Sequence, residues 1–217
     1  MKKNALIIGD SYSTFGGFVP EGNKVYYAEI PTHDTDVLSV SDTWWYQVIA
    51  EGNFNLVLNE SWSGAPVGYR GYDGEDCSKT SSFIYRLRLM RERGFFRDNE
   101  IHTVFAFGGT NDSWCEAPLG EIKCSDWKEE DLYYVLPAIC CFFRELRQCL
   151  PEAEIYCLIN TDLKEEITQA LLLACKNHHM IPVTFPHIHK TNDHPTVLGM
   201  QTIKETVMAT IEEQSHG

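Results

Sequence analysis

Three stretches of the chain are apolar without interruption: Ala5-Leu6-Ile7-Ile8, Val104-Phe105-Ala106-Phe107 and Ile155-Tyr156-Cys157-Leu158-Ile159. A strand with one wet face alternates apolar and polar positions, so unbroken runs predict strands covered on both faces. Two further strands are predicted from Phe54 to Leu58 and from Met180 to Phe185. Pro182 brings no backbone donor, which assigns the latter to a sheet edge. Between these runs the period lengthens to that of a helix. Trp44, Trp45, Val48 and Ile49 follow a capping Ser41 and stop at Gly52. Leu132, Val135, Leu136, Ile139, Phe143 and Leu146 recur at three and four residues, behind an acidic turn, Glu129-Glu130-Asp131, that suits the positive end of a helix dipole. Pro137 inside that stretch predicts a kink. Further stripes fall at Phe83, Ile84 and Leu87, at Leu163, Ile167, Ala170, Leu171 and Ala174, and at Val197, Met200, Ile203, Val207 and Ile211.

Strands alternating with helices imply a parallel sheet with right-handed crossovers and helices on both faces. The expected architecture is α/β: a three-layer α/β/α, flavodoxin-like domain with a five-stranded parallel sheet. The 217 residues suit one such domain over 1–217. Three connections are long, at residues 12–41, 60–78 and 109–127, and long loops in a compact domain are usually functional.

Charge and composition then exclude several roles. A formal net charge of −13 repels a phosphate backbone, so no nucleic acid partner is expected. Arg86, Arg88, Arg91 and Arg93 read as the solvated face of a helix. Only four consecutive apolar residues precede Gly9 and Asp10, fewer than the roughly 7–15 of a secretory signal core, and no run approaches the roughly 18 of a membrane span. A cytoplasmic protein with no membrane partner is the expectation. None of the eight cysteines forms a C-x-x-C, and Cys140, Cys141, Cys157 and Cys175 fall inside apolar patterns, which reads as reduced, buried thiols.

In an open parallel sheet, ligands bind beyond the carboxyl ends of the strands, where strand order reverses. The first strand is followed by Gly9-Asp10-Ser11, the second by Asn59-Glu60-Ser61-Trp62-Ser63-Gly64, the third by Gly108-Gly109-Thr110-Asn111-Asp112, and the fifth by a stretch ending in His194-Pro195-Thr196. Together, and in this order, GDS, a loop glycine, G-x-N-D and a late H-P resemble the four blocks of the GDSL/SGNH hydrolases. The resemblance spans almost the whole chain. It implies an ester hydrolase without cofactor or metal, with Ser11 as nucleophile and His194 as the base. It also implies an oxyanion hole made of the Ser11 and Gly64 amides and the Asn111 side chain, with Gly68 and Gly71 as alternatives to Gly64. Asp10 and Asp112 read as structural, bonding loop backbone.

One departure stands out. The family places an aspartate three residues before its histidine, and Thr191 occupies that position here. The nearest carboxylate, Asp193, adjoins His194 in sequence, and neighbouring residues of an extended loop tend to point apart, so the favoured outcome is a Ser–His dyad held by a backbone carbonyl. Asp193 as the third catalytic residue and a weakened enzyme are the alternatives. His187, His189 and His194 also invite a metal reading, but their spacing matches no zinc motif. The loop aromatics Phe15, Phe18, Tyr26, Tyr27, Tyr69, Tyr72, Trp114 and Trp127 serve either as a platform for substrate or as packing. The expected partner is a small-molecule ester, with acylated carbohydrates favoured by the polar residues interspersed there. The competing classes are a catalytically weakened glycan-binding module and a flavin- or nucleotide-binding protein, both on the same fold.

Overall fold

Each of the five apolar runs forms a strand in the computed structural model, which describes residues 2–216: β1 Lys3–Gly9, β2 Phe54–Ser61, β3 Thr103–Phe107, β4 Glu154–Ile159 and β5 Ile181–Thr184. All pair in parallel in the order β2-β1-β3-β4-β5. That is the flavodoxin-like order, with its switch point between β1 and β3. Pro182 lies in β5, an edge strand, where its missing donor deprives no neighbour.

The helices are α1 Trp44–Glu51, α2 Phe83–Glu92, α3 Phe95–Asp98, α4 Thr110–Trp114, α5 Val135–Cys149, α6 Glu165–Asn177 and α7 Val197–His216. Successive residues of a strand point to opposite faces, and the two cores follow from that. Leu6, Ile8, Val104 and Ala106 pack beneath α2, α5 and α6, whereas Ala5, Ile7, Phe105 and Phe107 pack beneath α1 and α7. This three-layer arrangement is the one expected from the unbroken apolar runs.

Three local expectations differ from the structure. The acidic turn Glu129-Glu130-Asp131 belongs to a separate 3-10 turn, Glu129–Tyr133, and α5 begins only at Val135. Pro137 therefore sits in the first turn, where its missing N–H would have had no helical partner, and it starts the helix rather than kinking it. Ser41 lies in a 3-10 turn, Val40–Asp42, whose cap is Ser39; α1 is flanked instead by Thr43. Finally, the stretch before His194 is a small antiparallel hairpin, β6 Lys190–Thr191 and β7 His194–Pro195, rather than an open loop.

The cysteines are all free thiols; Cys77, Cys140, Cys141, Cys157 and Cys175 are buried and Cys124 is exposed. Among the described residues no helix is long and apolar enough to cross a membrane.

Candidate active site

β1 ends at Gly9, and the chain turns at once into a 3-10 turn, Ser11–Ser13. Asp10 caps that turn, its Oδ1 accepting the Tyr12 amide at 3.0 Å. A side chain on Gly9 would lie 2.5 Å from Ser13 and 2.7 Å from the Ser61 hydroxyl, so only glycine lets the turn close this tightly. Ser11 thus emerges at the carboxyl end of β1, beside the switch point.

His194 reaches the same place from the far end of the chain. Asn192 and Asp193 form the two-residue turn of the β6–β7 hairpin with φ of +48° and +61°. Two left-handed residues in succession are the backbone such short hairpins demand, and Asn and Asp accept it more readily than other residues with a side chain. The Tyr12 hydroxyl donates to the Asp193 carbonyl at 2.5 Å, and the Tyr27 hydroxyl to the Pro195 carbonyl at 2.9 Å, which ties the hairpin to the end of the sheet.

The Ser11 Oγ lies 2.9 Å from His194 Nε2 across 183 positions of sequence. His194 Nδ1 lies 3.0 Å from the Asn192 carbonyl oxygen. A carbonyl only accepts, so Nδ1 carries the proton and Nε2 presents its lone pair to the Ser11 hydroxyl, which donates. Burial pushes the His194 imidazole below the usual histidine value, opposed by the bond to Asn192 and by the charge of Asp193. The ring is accordingly neutral at pH 7.

The third position beside the ring is taken by the Asn192 carbonyl and not by the Asp193 side chain. Its carboxylate makes no hydrogen bond to the ring, because the left-handed turn that brings its carbonyl onto Tyr12 leaves the Asn192 carbonyl facing Nδ1. A backbone carbonyl in this place was among the outcomes expected from the sequence; which carbonyl was not legible, because backbone carbonyls carry no residue signature. The Asn-Asp pair just before His194 was the available signal, as a hairpin turn.

Asn111 stands in the first turn of α4, behind Gly109 at φ +95°, a left-handed position suited to glycine. Its Oδ1 accepts the Tyr72 hydroxyl at 3.0 Å, and its Nδ2 donates to the Ala65 carbonyl at 3.0 Å. These two bonds fix which way the amide faces and leave its second N–H uncommitted among the described residues. Gly64 sits at φ +82° with nothing within 4 Å of where a side chain would point, and its amide, like that of Ser11, has no partner among the described residues. The alternatives are occupied: the Gly68 amide bonds Asp112 Oδ1 at 3.3 Å, and the Gly71 amide bonds the Glu75 carbonyl at 2.9 Å.

Asp112 is structural across a distance rather than within its own turn. Its carboxylate accepts the Val67 amide at 2.9 and 3.0 Å as well as that of Gly68, holding the segment that carries Gly64 and Ala65. Burial raises its pKa to about 6, and burial raises that of Asp10 to about 7, against the pull of the Tyr12 amide.

Most loop aromatics prove to be packing. Phe15, Tyr26, Tyr27 and Tyr69 are buried, whereas Phe18 and Tyr72 remain exposed at 45% and 40%. His189 places Nδ1 2.7 Å from the Thr196 hydroxyl, a bond within the hairpin's base. Among the described residues no group of three or more His, Cys, Asp or Glu side chains converges as metal ligands.

A serine hydroxyl bonded to an imidazole at the switch point of a parallel sheet is an arrangement suited to an ester hydrolase on a flavodoxin-like frame. The chain belongs to the GDSL-like lipase/acylhydrolase family, whose model matches residues 3–211. It is similar to the crystal structure of a provisionally named GDSL-like lipase from Bacteroides ovatus, with 35% identity and a TM-score of 0.90 over 98% of this chain and 99% of that one. A second such protein, from Bacteroides uniformis, gives 37% identity and a TM-score of 0.89 over 98% and 96%. An acetyl xylan esterase from Butyrivibrio proteoclasticus shares the fold at 17% identity and a TM-score of 0.64, this chain covering 64% of its length. Among curated proteins none matches the chain in sequence.

Proposed function

We propose that the protein is a serine-dependent ester hydrolase that works through an acyl-enzyme on Ser11, with His194 as general base. The observation that carries this reading is the 2.9 Å contact between the Ser11 hydroxyl and Nε2 of an imidazole whose other nitrogen is held by the Asn192 carbonyl. In the first half-reaction Ser11 Oγ attacks the ester carbonyl carbon while its proton passes to Nε2. The carbonyl oxygen becomes an oxyanion, met by the Ser11 and Gly64 amides and the free N–H of Asn111. The tetrahedral intermediate then expels the alcohol, which takes the proton from His194. Water repeats the sequence on the acyl-enzyme, His194 removing its proton, and releases the carboxylic acid and free Ser11.

The Ser–His pair with a backbone carbonyl in the third place is the outcome we favour over a triad completed by Asp193. The substrate class we propose is a short acyl ester, O-acetylated carbohydrate foremost. Among the loop aromatics Tyr72 is both exposed and bonded to Asn111, and an exposed ring carrying a hydroxyl suits a sugar better than a long acyl chain. The likeness to an acetyl xylan esterase points the same way.

The test combines labelling with turnover. A fluorophosphonate probe is expected to modify the wild type at Ser11 and to leave Ser11→Ala unmodified. Hydrolysis of p-nitrophenyl esters of increasing chain length and of acetylated sugars should show burst kinetics and favour acetyl. An unlabelled wild type that nonetheless binds saccharides would establish the glycan-binding alternative and end the hydrolase reading.

A further inference from the structure

The imidazole of His194 is held in its plane by two hydrogen bonds at its edges, and something must also hold its faces. One face is covered by Tyr26: the two ring centroids lie 3.5 Å apart with planes 3° from parallel. The opposite face of Tyr26 carries His33, 4.6 Å away and 7° from parallel. Two neutral aromatic rings avoid a direct face-to-face sandwich because their negative faces oppose one another. A cation above such a face is attracted to it. The observed stack therefore suits a ring that becomes positively charged, as a general base does when it takes a proton.

Tyr26 is itself anchored to the nucleophile. Its amide donates to the Thr14 hydroxyl oxygen at 2.9 Å, and that hydroxyl donates to the Ser11 carbonyl at 3.0 Å. The Gly16 amide bonds the neighbouring Tyr27 carbonyl at 2.9 Å, and the Tyr27 hydroxyl bonds Pro195, directly after His194. One short segment thus touches the serine turn with its backbone and the histidine hairpin with its rings. The Tyr26 hydroxyl has no hydrogen-bond partner among the described residues, so the ring face rather than the hydroxyl is what the position supplies.

We infer that Tyr26 is a positioning residue for His194: its ring holds the imidazole facing Ser11 and favours the imidazolium formed during proton transfer, a task elsewhere given to an orienting carboxylate. This inference rests on the hydrolase reading for its purpose, but its physical content is the coupling between two rings. The charged or titratable groups that also face His194 are Asp193 and Lys190 on the hairpin and His33 on the loop. Asp34 faces Tyr26, and the Tyr12 ring lies 5.4 Å from the imidazole. All are left intact in the variants below.

The experiment compares Tyr26→Phe, which keeps the ring, with Tyr26→Leu, which keeps the apolar cover without the negative face. Pentafluorophenylalanine at position 26 supplies the same shape with the charge distribution reversed and serves should the leucine variant not fold. The His194 pKa is read by NMR titration of its ring protons, and kcat and KM are read on p-nitrophenyl acetate. Tyr26→Phe should match the wild type within about twofold in kcat. Tyr26→Leu and the fluorinated ring should lower the His194 pKa by roughly half a unit, the size of a modest cation–π contact. They should lower kcat by about tenfold with KM little changed, because a base held less well misses its near-attack geometry. Equal pKa values and equal kcat across the phenylalanine, leucine and fluorinated forms would overturn the inference. A wild type without esterase activity would instead end the hydrolase reading, while the NMR titration would still decide whether the two rings are coupled.

Discussion

At the scale of single residues, the site shows how much chemistry depends on which atom of a residue is used. Asp193 is charged and adjoins the base, yet it contributes through its field and its carbonyl, while the uncharged Asn192 supplies the bond that sets the tautomer. Asp193→Asn should therefore reduce kcat/KM for p-nitrophenyl acetate by less than tenfold. His194→Ala should cost on the order of 10⁴-fold or more, as loss of a base acting in concert with a serine does. Equal losses would make the aspartate the third member. Because the Asp193 charge raises the His194 pKa, the asparagine variant should also move the acidic limb of the pH–rate profile further below the ordinary histidine value, not above it. Asn111→Ala should lower kcat by about 10²–10³, the usual cost of one oxyanion donor, and steady-state kinetics at saturating ester reads this directly. Ser11, His194 and Asn111 could be singled out in the sequence because the proposed chemistry calls for those residue types at the strand ends. Asn192, Tyr72, Tyr26 and Thr14 were not, since their contributions are a carbonyl, an orienting hydroxyl, a ring face and a relay between two backbone groups.

Elements decide where those atoms point. The two-residue turn at Asn192 and Asp193 places both residues at positive φ, and without it His194 would not face back toward β1. Left-handed backbone costs an ordinary side chain roughly 1–2 kcal/mol and a β-branched one more. Asp193→Gly should hence retain turnover within a few-fold, whereas Asp193→Val should lose much of it and lower the melting temperature. Indistinguishable glycine and valine variants, measured by kinetics and thermal unfolding together, would show that the turn does not set the base. The same scale explains the misplaced start of α5. A periodic stripe beginning at Leu132 looks continuous in sequence, but the apolar face runs on through a 3-10 turn of slightly different pitch, and only the tertiary contacts end one and begin the other at Val135.

Across the whole molecule, two buried carboxylates behind the site couple stability to pH. Asp10 and Asp112 titrate near 3.8 when solvated, and burial raises them to about 7 and about 6. Between those limits the folded state holds more protons than the unfolded chain, so stability falls as pH rises from about 4 to about 7 and levels off above. The melting temperature should drop by several degrees between pH 5 and pH 8, a shift of the size expected when a few kcal/mol are lost. Asp10→Asn, which stays neutral throughout, should flatten that slope; a melting temperature that rises over this range would contradict the burial of these groups. The sequence by itself determined the five strands, their parallel pairing and the segments that meet at one sheet edge, because unbroken apolar runs and helical periods are local patterns that burial on two faces imposes. Which atom orients the base, which glycine offers a free amide and which ring covers the imidazole were decided only by the tertiary structure. Those contacts join residues as far apart as 183 positions, and they are made by backbone groups and ring faces that every sequence possesses and none announces.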